Sequence, residues 1–231
     1  MRFPSPLAAV ALALLAAACS STSSPATPSP SVKVTSSAPA NPDAGLPTGT
    51  QLKALLVPAS WFRPGFTLDP QGSVDTGGYY QPVTPPGPLK CKRLGGTSWV
   101  ALGDGGAVSF AQNDYLNQNA GQYAQEIDVF QGTTAQQVMA KLRQMVANCP
   151  HFHDAQTSST VTVTLRKGPQ LGDDTLMIRL HDPRWAGDTT LEAVRVGHAV
   201  ITVYFSGVSG TGQAQATKLA AAVTANVQKK G

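Results

Sequence analysis

Three short stretches of the chain hold residue types able to do chemistry. Cys149-Pro150-His151-Phe152-His153-Asp154 carries the donors of a transition-metal site. In an extended segment His151 and His153 fall on one side, and Asp154 offers oxygen. Zinc takes three or four ligands, so His181 or Asp182 would have to join them, and a disulfide at Cys149 would withdraw its sulfur. Gly207-Val208-Ser209-Gly210-Thr211-Gly212-Gln213-Ala214 has the glycine spacing of a phosphate loop. Gln213 and Ala214 stand where that loop needs Lys and Ser/Thr, which favours a plain turn before a helix. Ser209 lacks the first glycine of the G-x-S-x-G elbow. Asp173-Asp174 resembles an acid/base pair, yet neighbours on a strand face opposite ways, and capping a turn suits them better. Asp69, Asp75 and Glu126 have no visible partner. Trp61, Trp99, Trp185, Tyr79 and Tyr80 are rings of core or rim type; Tyr79, Tyr80 and Trp99 are the candidates for ligand contact. No catalytic residue, metal ligand or cofactor is expected.

Cys19 carries a different chemistry. It follows an apolar run from Leu7 to Ala18, with Arg2 near the start and Ala16-Ala17-Ala18 immediately before it. A charged start, a short apolar stretch and small residues at the cut describe an export signal. The cysteine directly after them suggests a lipobox, with residues 1–18 removed and Cys19 acylated. Ala16 stands where the usual Leu would be, and ordinary Ala-x-Ala cleavage is the alternative. A retained membrane span would need ~20 apolar residues, more than this run supplies.

Ser20 to about Thr48 is almost wholly Ser, Thr, Pro and Ala. Such sequence cannot offset its ordering entropy and reads as a disordered tether over 19–48. Residues 49–231 remain for one domain, roughly 180 residues, enough to bury a core without a metal. The charge is +4, from 17 basic and 13 acidic residues. Lys90, Lys92 and Arg93 cluster around Cys91, but no basic stripe interleaved with aromatics appears, so nucleic acid is not an expected partner. Of the 3 cysteines, acylation of Cys19 leaves Cys91 and Cys149. An oxidising compartment favours their pairing over two buried thiols, and a loop of ~59 residues makes that bridge worth about 4 kcal/mol.

The elements follow from periodicity. Leu52, Leu55 and Leu56 before Pro58 suggest a short helix, and Arg63–Leu89 is loop-like, the expected rim of any cleft. Thr97–Leu102 and Ala107–Ala111 flank Gly103-Asp104-Gly105-Gly106 as a hairpin. Gln122–Phe130 alternates Tyr123, Ile127 and Val129 onto one face. Val138, Leu142, Met145 and Val146 mark a helix over Ala135–Asn148, with Thr133 or Thr134 as its cap and Pro150 as its stop. Thr160–Arg166, Thr175–His181, Leu191–Val196 and Ala199–Phe205 read as strands, the last two joined through Gly197-His198. Ala216, Leu219, Ala220, Val223 and Val227 place a helix over Gln213–Gln228. Tight turns make antiparallel neighbours, so the class is α+β: an antiparallel sheet with two main helices packed on it and one disulfide.

This order of elements resembles the secreted PknH-type sensor domains of actinobacteria, found as kinase ectodomains and as free lipoproteins. The residues that carry the likeness are Leu52–Leu56 with Pro58, Cys91, Glu126-Ile127-Asp128-Val129-Phe130, Ala147-Asn148-Cys149-Pro150, Leu171-Gly172-Asp173-Asp174 and Val194-Arg195-Val196-Gly197-His198-Ala199-Val200. The resemblance implies an antiparallel sheet backed by two helices around a ligand cleft. Family members often carry a second disulfide near the helix end, for which this chain has no cysteine. No kinase sequence is present, so signalling would need another protein. The function expected is a non-catalytic ligand-binding or sensing module, lipid-anchored on the extracytoplasmic face of the cell membrane. Its partners would be the bilayer through Cys19, a small-molecule or cell-wall ligand, and a signalling protein. Two alternatives stand beside it: a cell-envelope hydrolase drawing His153, Asp174 and Ser209 into one pocket, and a structural lipoprotein with a filled core and no ligand.

Overall fold

Alternation along Gln122–Phe130 decides the architecture. Tyr123, Ile127 and Val129 point one way, Ala124, Glu126, Asp128 and Phe130 the other, and all of them are buried. A strand buried on both faces must be covered on both. In the computed structural model, which describes residues 44–79, 90–119, 121–207 and 210–230, it lies third in an eight-stranded antiparallel sheet. The strands are β1 (Thr67–Asp75), β2 (Ala107–Leu116), β3 (Gln122–Phe130), β4 (His151–Asp154), β5 (Ser159–Arg166), β6 (Asp174–His181), β7 (Thr189–Val196) and β8 (Ala199–Ser206). They run side by side as β1-β2-β3-β8-β7-β6-β5-β4. Three helices accompany them: α1 (Gly49–Lys53), α2 (Thr134–Asn148) and α3 (Gly212–Gln228).

The two long helices take opposite faces. On one, Leu219, Ala220 and Val223 of α3 pack with Ile127, Val194, Ile201 and Val203, and Leu52 and Phe62 from the N-terminal segment extend the same core. On the other, Val138, Leu142 and Met145 of α2 pack with Ile178, Leu180 and Leu191, joined by Leu94, Trp99 and Leu102. Each fully buried aliphatic side chain contributes about 1.5–3 kcal/mol, so these stripes hold the helices where intrinsic propensity alone would not. α2 begins without a side-chain cap at Thr133; the expected Thr cap does not form. Tertiary bonds tie it instead: Lys141 donates to the Leu102 carbonyl at 2.9 Å and pairs with Asp104, and Arg143 forks onto Asp174.

The α+β class, the antiparallel sheet, the two main helices and the disulfide stand as expected. Cys91 and Cys149 are joined, with Cα atoms 5.5 Å apart. Two local expectations fail. Thr97–Leu102 is no strand: Cys91–Gly95 and Val100–Leu102 are 3₁₀ turns. A strand would send Trp99 and Leu102 to opposite sides, and both enter the core on the α2 side. Asp104 and Gly105 do adopt the positive φ that an Asp-Gly turn requires (46° and 87°), but that turn follows a 3₁₀ turn, so no hairpin forms. The Arg63–Leu89 stretch contains β1, an edge strand pairing with β2 through an irregularity between Asp69 and Val74. Pro70 and Gly72 masked it in the sequence, and an edge is where a strand tolerates them.

One acid lies under α3. Glu192 on β7 is fully buried; Thr217 donates to its Oε2 at 2.9 Å, and its Oε1 has no partner. Burial pushes its pKa up from 4.5 to about 7. The folded chain thus keeps a proton that the unfolded chain releases, so the contribution of Glu192 to stability is complete below pH 4.5 and is lost as pH rises to about 7. Glu192→Gln is expected to flatten that fall and to raise stability at pH 8 by about 2–3 kcal/mol. Urea unfolding at pH 5 and pH 8 measures it; an unchanged slope would count against the assignment.

Candidate functional site

Beyond the end of the α2 cover, the sheet carries polar residues on a face that elsewhere is apolar. Strand register arranges them in rows. Asp114 of β2, Ala124 of β3 and Tyr204 of β8 are direct neighbours, and the next row is Gln112, Glu126 and Thr202. Ala124, the smallest of the six, leaves a depression between Asp114 and Tyr204. A cavity of about 410 Å³ opens there, floored by these strands and roofed by residues 92–98.

The roof is fastened to the floor by two carboxyls. Thr97 donates its hydroxyl to Glu126 Oε2 at 2.6 Å, and the Trp99 backbone N–H donates to Asp128 Oδ2 at 2.7 Å. The Trp99 indole N–H donates to Thr202 Oγ1, also at 2.7 Å. Glu126 and Asp128 lie two apart on one face of β3 and are at most 1% exposed, and no cation pairs with either among the described residues. Burial pushes both pKa values up, Asp128 well above the ordinary carboxylate range, where the neighbouring Glu126 charge adds to the effect. Glu126 Oε1 and Asp128 Oδ1 receive no donor from the protein. Two full charges side by side there, with no cation to offset them, oppose one another.

The rest of the lining is polar. Gln112 donates to Asp114 Oδ1 at 2.8 Å, and burial raises the Asp114 pKa. Lys92 and Arg93 are exposed on the roof, and neither forms an ion pair among the described residues. The bridge from Cys91 to Cys149 pins the start of this roof to the end of α2.

Sequence reasoning named Glu126 as an acid without a partner, and its partner, Thr97, arrives from the roof. Asp128 was overlooked, although Glu126-Ile127-Asp128 within an apolar strand was the available signal. Trp99 is fully buried beside the cavity and is not part of its lining. Tyr79 is 47% exposed and away from it, donating its hydroxyl to the Leu46 carbonyl at 2.9 Å. Tyr80, Cys19 and Ser209 lie outside the described residues. The cavity is lined by 92–98 and by strands, with no contribution from the described part of Arg63–Leu89.

The other chemical stretches resolve into structural contacts. His151 and His153 project from the edge strand β4, exposed, while Asp154 accepts from Thr157 and Trp185. No group of three metal-binding side chains occurs among the described residues. Asp173 accepts from the Gly197 N–H and from Arg195, closing the β7–β8 turn, while Asp174 faces Arg143 of α2. His153 and Asp174 sit toward opposite ends of the β5–β6 ladder. No helix among the described residues is long and apolar enough to cross a membrane.

The sequence matches no protein-family model and no curated protein. Solved structures do match the fold. The extracellular domain of PknH from Mycobacterium tuberculosis superimposes with a TM-score of 0.60 at 14% identity, covering 79% of this chain and 97% of that one. The Rv0999 ortholog from Mycobacterium smegmatis gives a TM-score of 0.42 at 13% identity, over 77% and 95% of the two chains. The superposition on the extracellular domain of PknH shows that the chain shares the fold of that domain.

Proposed function

We propose that the protein is a non-catalytic, extracytoplasmic binding module, held at the membrane by an acylated Cys19, whose ligand enters the cavity between β2, β3 and β8 and the 92–98 roof. The observation that carries this is the polar floor. Binding pockets are concave sites with a few convergent polar groups, and Asp114, Glu126 and Tyr204 converge on the space that Ala124 leaves. The likeness to an extracellular domain supports the location, and the run before Cys19 supports the anchor.

Two measurements test it. Titration with a panel of amino acids, short peptides, disaccharides and polyols is expected to shift amide resonances of residues 92–98 and 122–126 for at least one compound. Ala124→Phe, which fills the depression, should abolish that shift. A panel that moves none of these resonances removes the binding role. For the anchor, palmitate label and membrane sedimentation are expected in the full chain and lost in Cys19→Ala; a labelled variant would place the acyl group elsewhere.

A further inference from the structure

The ligand class follows from how charge is distributed in the cavity, an inference that rests on the binding role proposed above. The ionisable carboxyls on the floor are those of Asp114 and Glu126, and no cation stands among them. Glu126 is 1% exposed, lines the cavity, and has an oxygen that receives no donor from the protein. On the roof are cations only, Lys92 and Arg93, and neither forms an ion pair among the described residues. The two signs stay apart across the cavity.

From this we infer that the site takes a small zwitterion, an amino acid or short peptide with free ends, its ammonium on Asp114 and Glu126 and its carboxylate on Lys92 and Arg93. A simple anion would meet the acidic floor, and a simple cation would meet the basic roof; each like-charge contact opposes binding. A neutral sugar would leave both sets of charges unanswered. A molecule with both charges answers both. Charge-assisted hydrogen bonds from an ammonium to carboxylates and from a guanidinium to a carboxylate are the stronger kind, and Arg93 has the fork geometry for the latter.

Trialanine is the probe, titrated calorimetrically into the full chain beside its N-acetylated form, its C-terminal amide and sucrose. Trialanine is expected to bind, and blocking either end should weaken it by about tenfold or more. Asp114→Asn should remove most of the penalty for N-acetylation, and the Lys92→Ala/Arg93→Ala double variant most of the penalty for amidation. The blocked peptides make the test independent of how any variant folds. Equal affinity for free and blocked trialanine overturns the zwitterion assignment. Binding of sucrose without trialanine also overturns it while keeping the binding role. Silence from every compound, here and in the panel above, overturns both.

Discussion

Removing the Cys91–Cys149 bridge, by reduction or as the Cys91→Ala/Cys149→Ala double variant, is expected to lower unfolding free energy by about 4 kcal/mol. For a domain of this size that is a fall in melting temperature of about 10 °C. The bridge spans 58 positions, so without it the unfolded chain regains a long loop's worth of freedom. Its position adds a local consequence. Cys91 begins the turn that carries Lys92 and Arg93, and Cys149 is the C-cap of α2, itself fixed to the sheet by Arg143 and Asp174. Reduction therefore frees one end of the cavity roof, while Thr97 and Trp99 still hold the other end through Glu126 and Asp128. Trialanine affinity should fall before the sheet unfolds. Calorimetry with and without reductant checks both effects, and a melting temperature indifferent to reductant would sink the first.

What could be read in the sequence was periodic. α2 and α3 announced themselves by Val138-Leu142-Met145 and Leu219-Val223 at helical spacing, and β5 to β8 by alternating or continuous apolar runs between turns. The bridge was legible because Cys19, at the end of the apolar run, stands apart in the sequence from Cys91 and Cys149. β1 was not, since Pro70 and Gly72 interrupt its pattern and it lies at an edge where little is buried. The 3₁₀ turn that follows the roof was hidden because Trp99 and Val100 have strand-forming side chains, and only the tertiary pocket for Trp99 decides their conformation. The cavity was illegible for another reason. Its floor is assembled from strands far apart in sequence, Asp114 beside Ala124 beside Tyr204, and register across three strands cannot be read from one chain. A trace did exist in Ala124-Glu126-Asp128: a strand interleaving acids with Tyr123, Ile127 and Val129 is apolar on one face and acidic on the other, and both faces are buried.

That buried acidic face gives the other large effect. Asp128→Ala is expected to cost about 4 kcal/mol. It removes the acceptor of the fully buried Trp99 N–H, worth about 1–3 kcal/mol when left unmade, opens a void beside Trp99, and leaves Glu126 buried beside that void. Asp128→Asn separates these causes. Its amide oxygen still accepts from Trp99 and its NH₂ can donate to Glu126 Oε1, so at pH 5 it should lie within about 1 kcal/mol of the parent. The pH dependence has a definite sign. Both carboxyls have raised pKa values in the folded state, so the folded chain binds protons that the unfolded chain releases. Their contribution is complete below about pH 4 and declines as pH rises through the folded values. Asp128→Asn deletes one of the two titrations and the like-charge contact, so its stability relative to the parent should rise from pH 5 to pH 8. Taking that difference at each pH cancels the contribution of Glu192, which sits on the opposite face of the sheet. An Asn variant as unstable as the Ala variant, or a difference that does not move with pH, would mean that the roof is held by packing of Trp99 alone and that the two acids do not affect each other's titration.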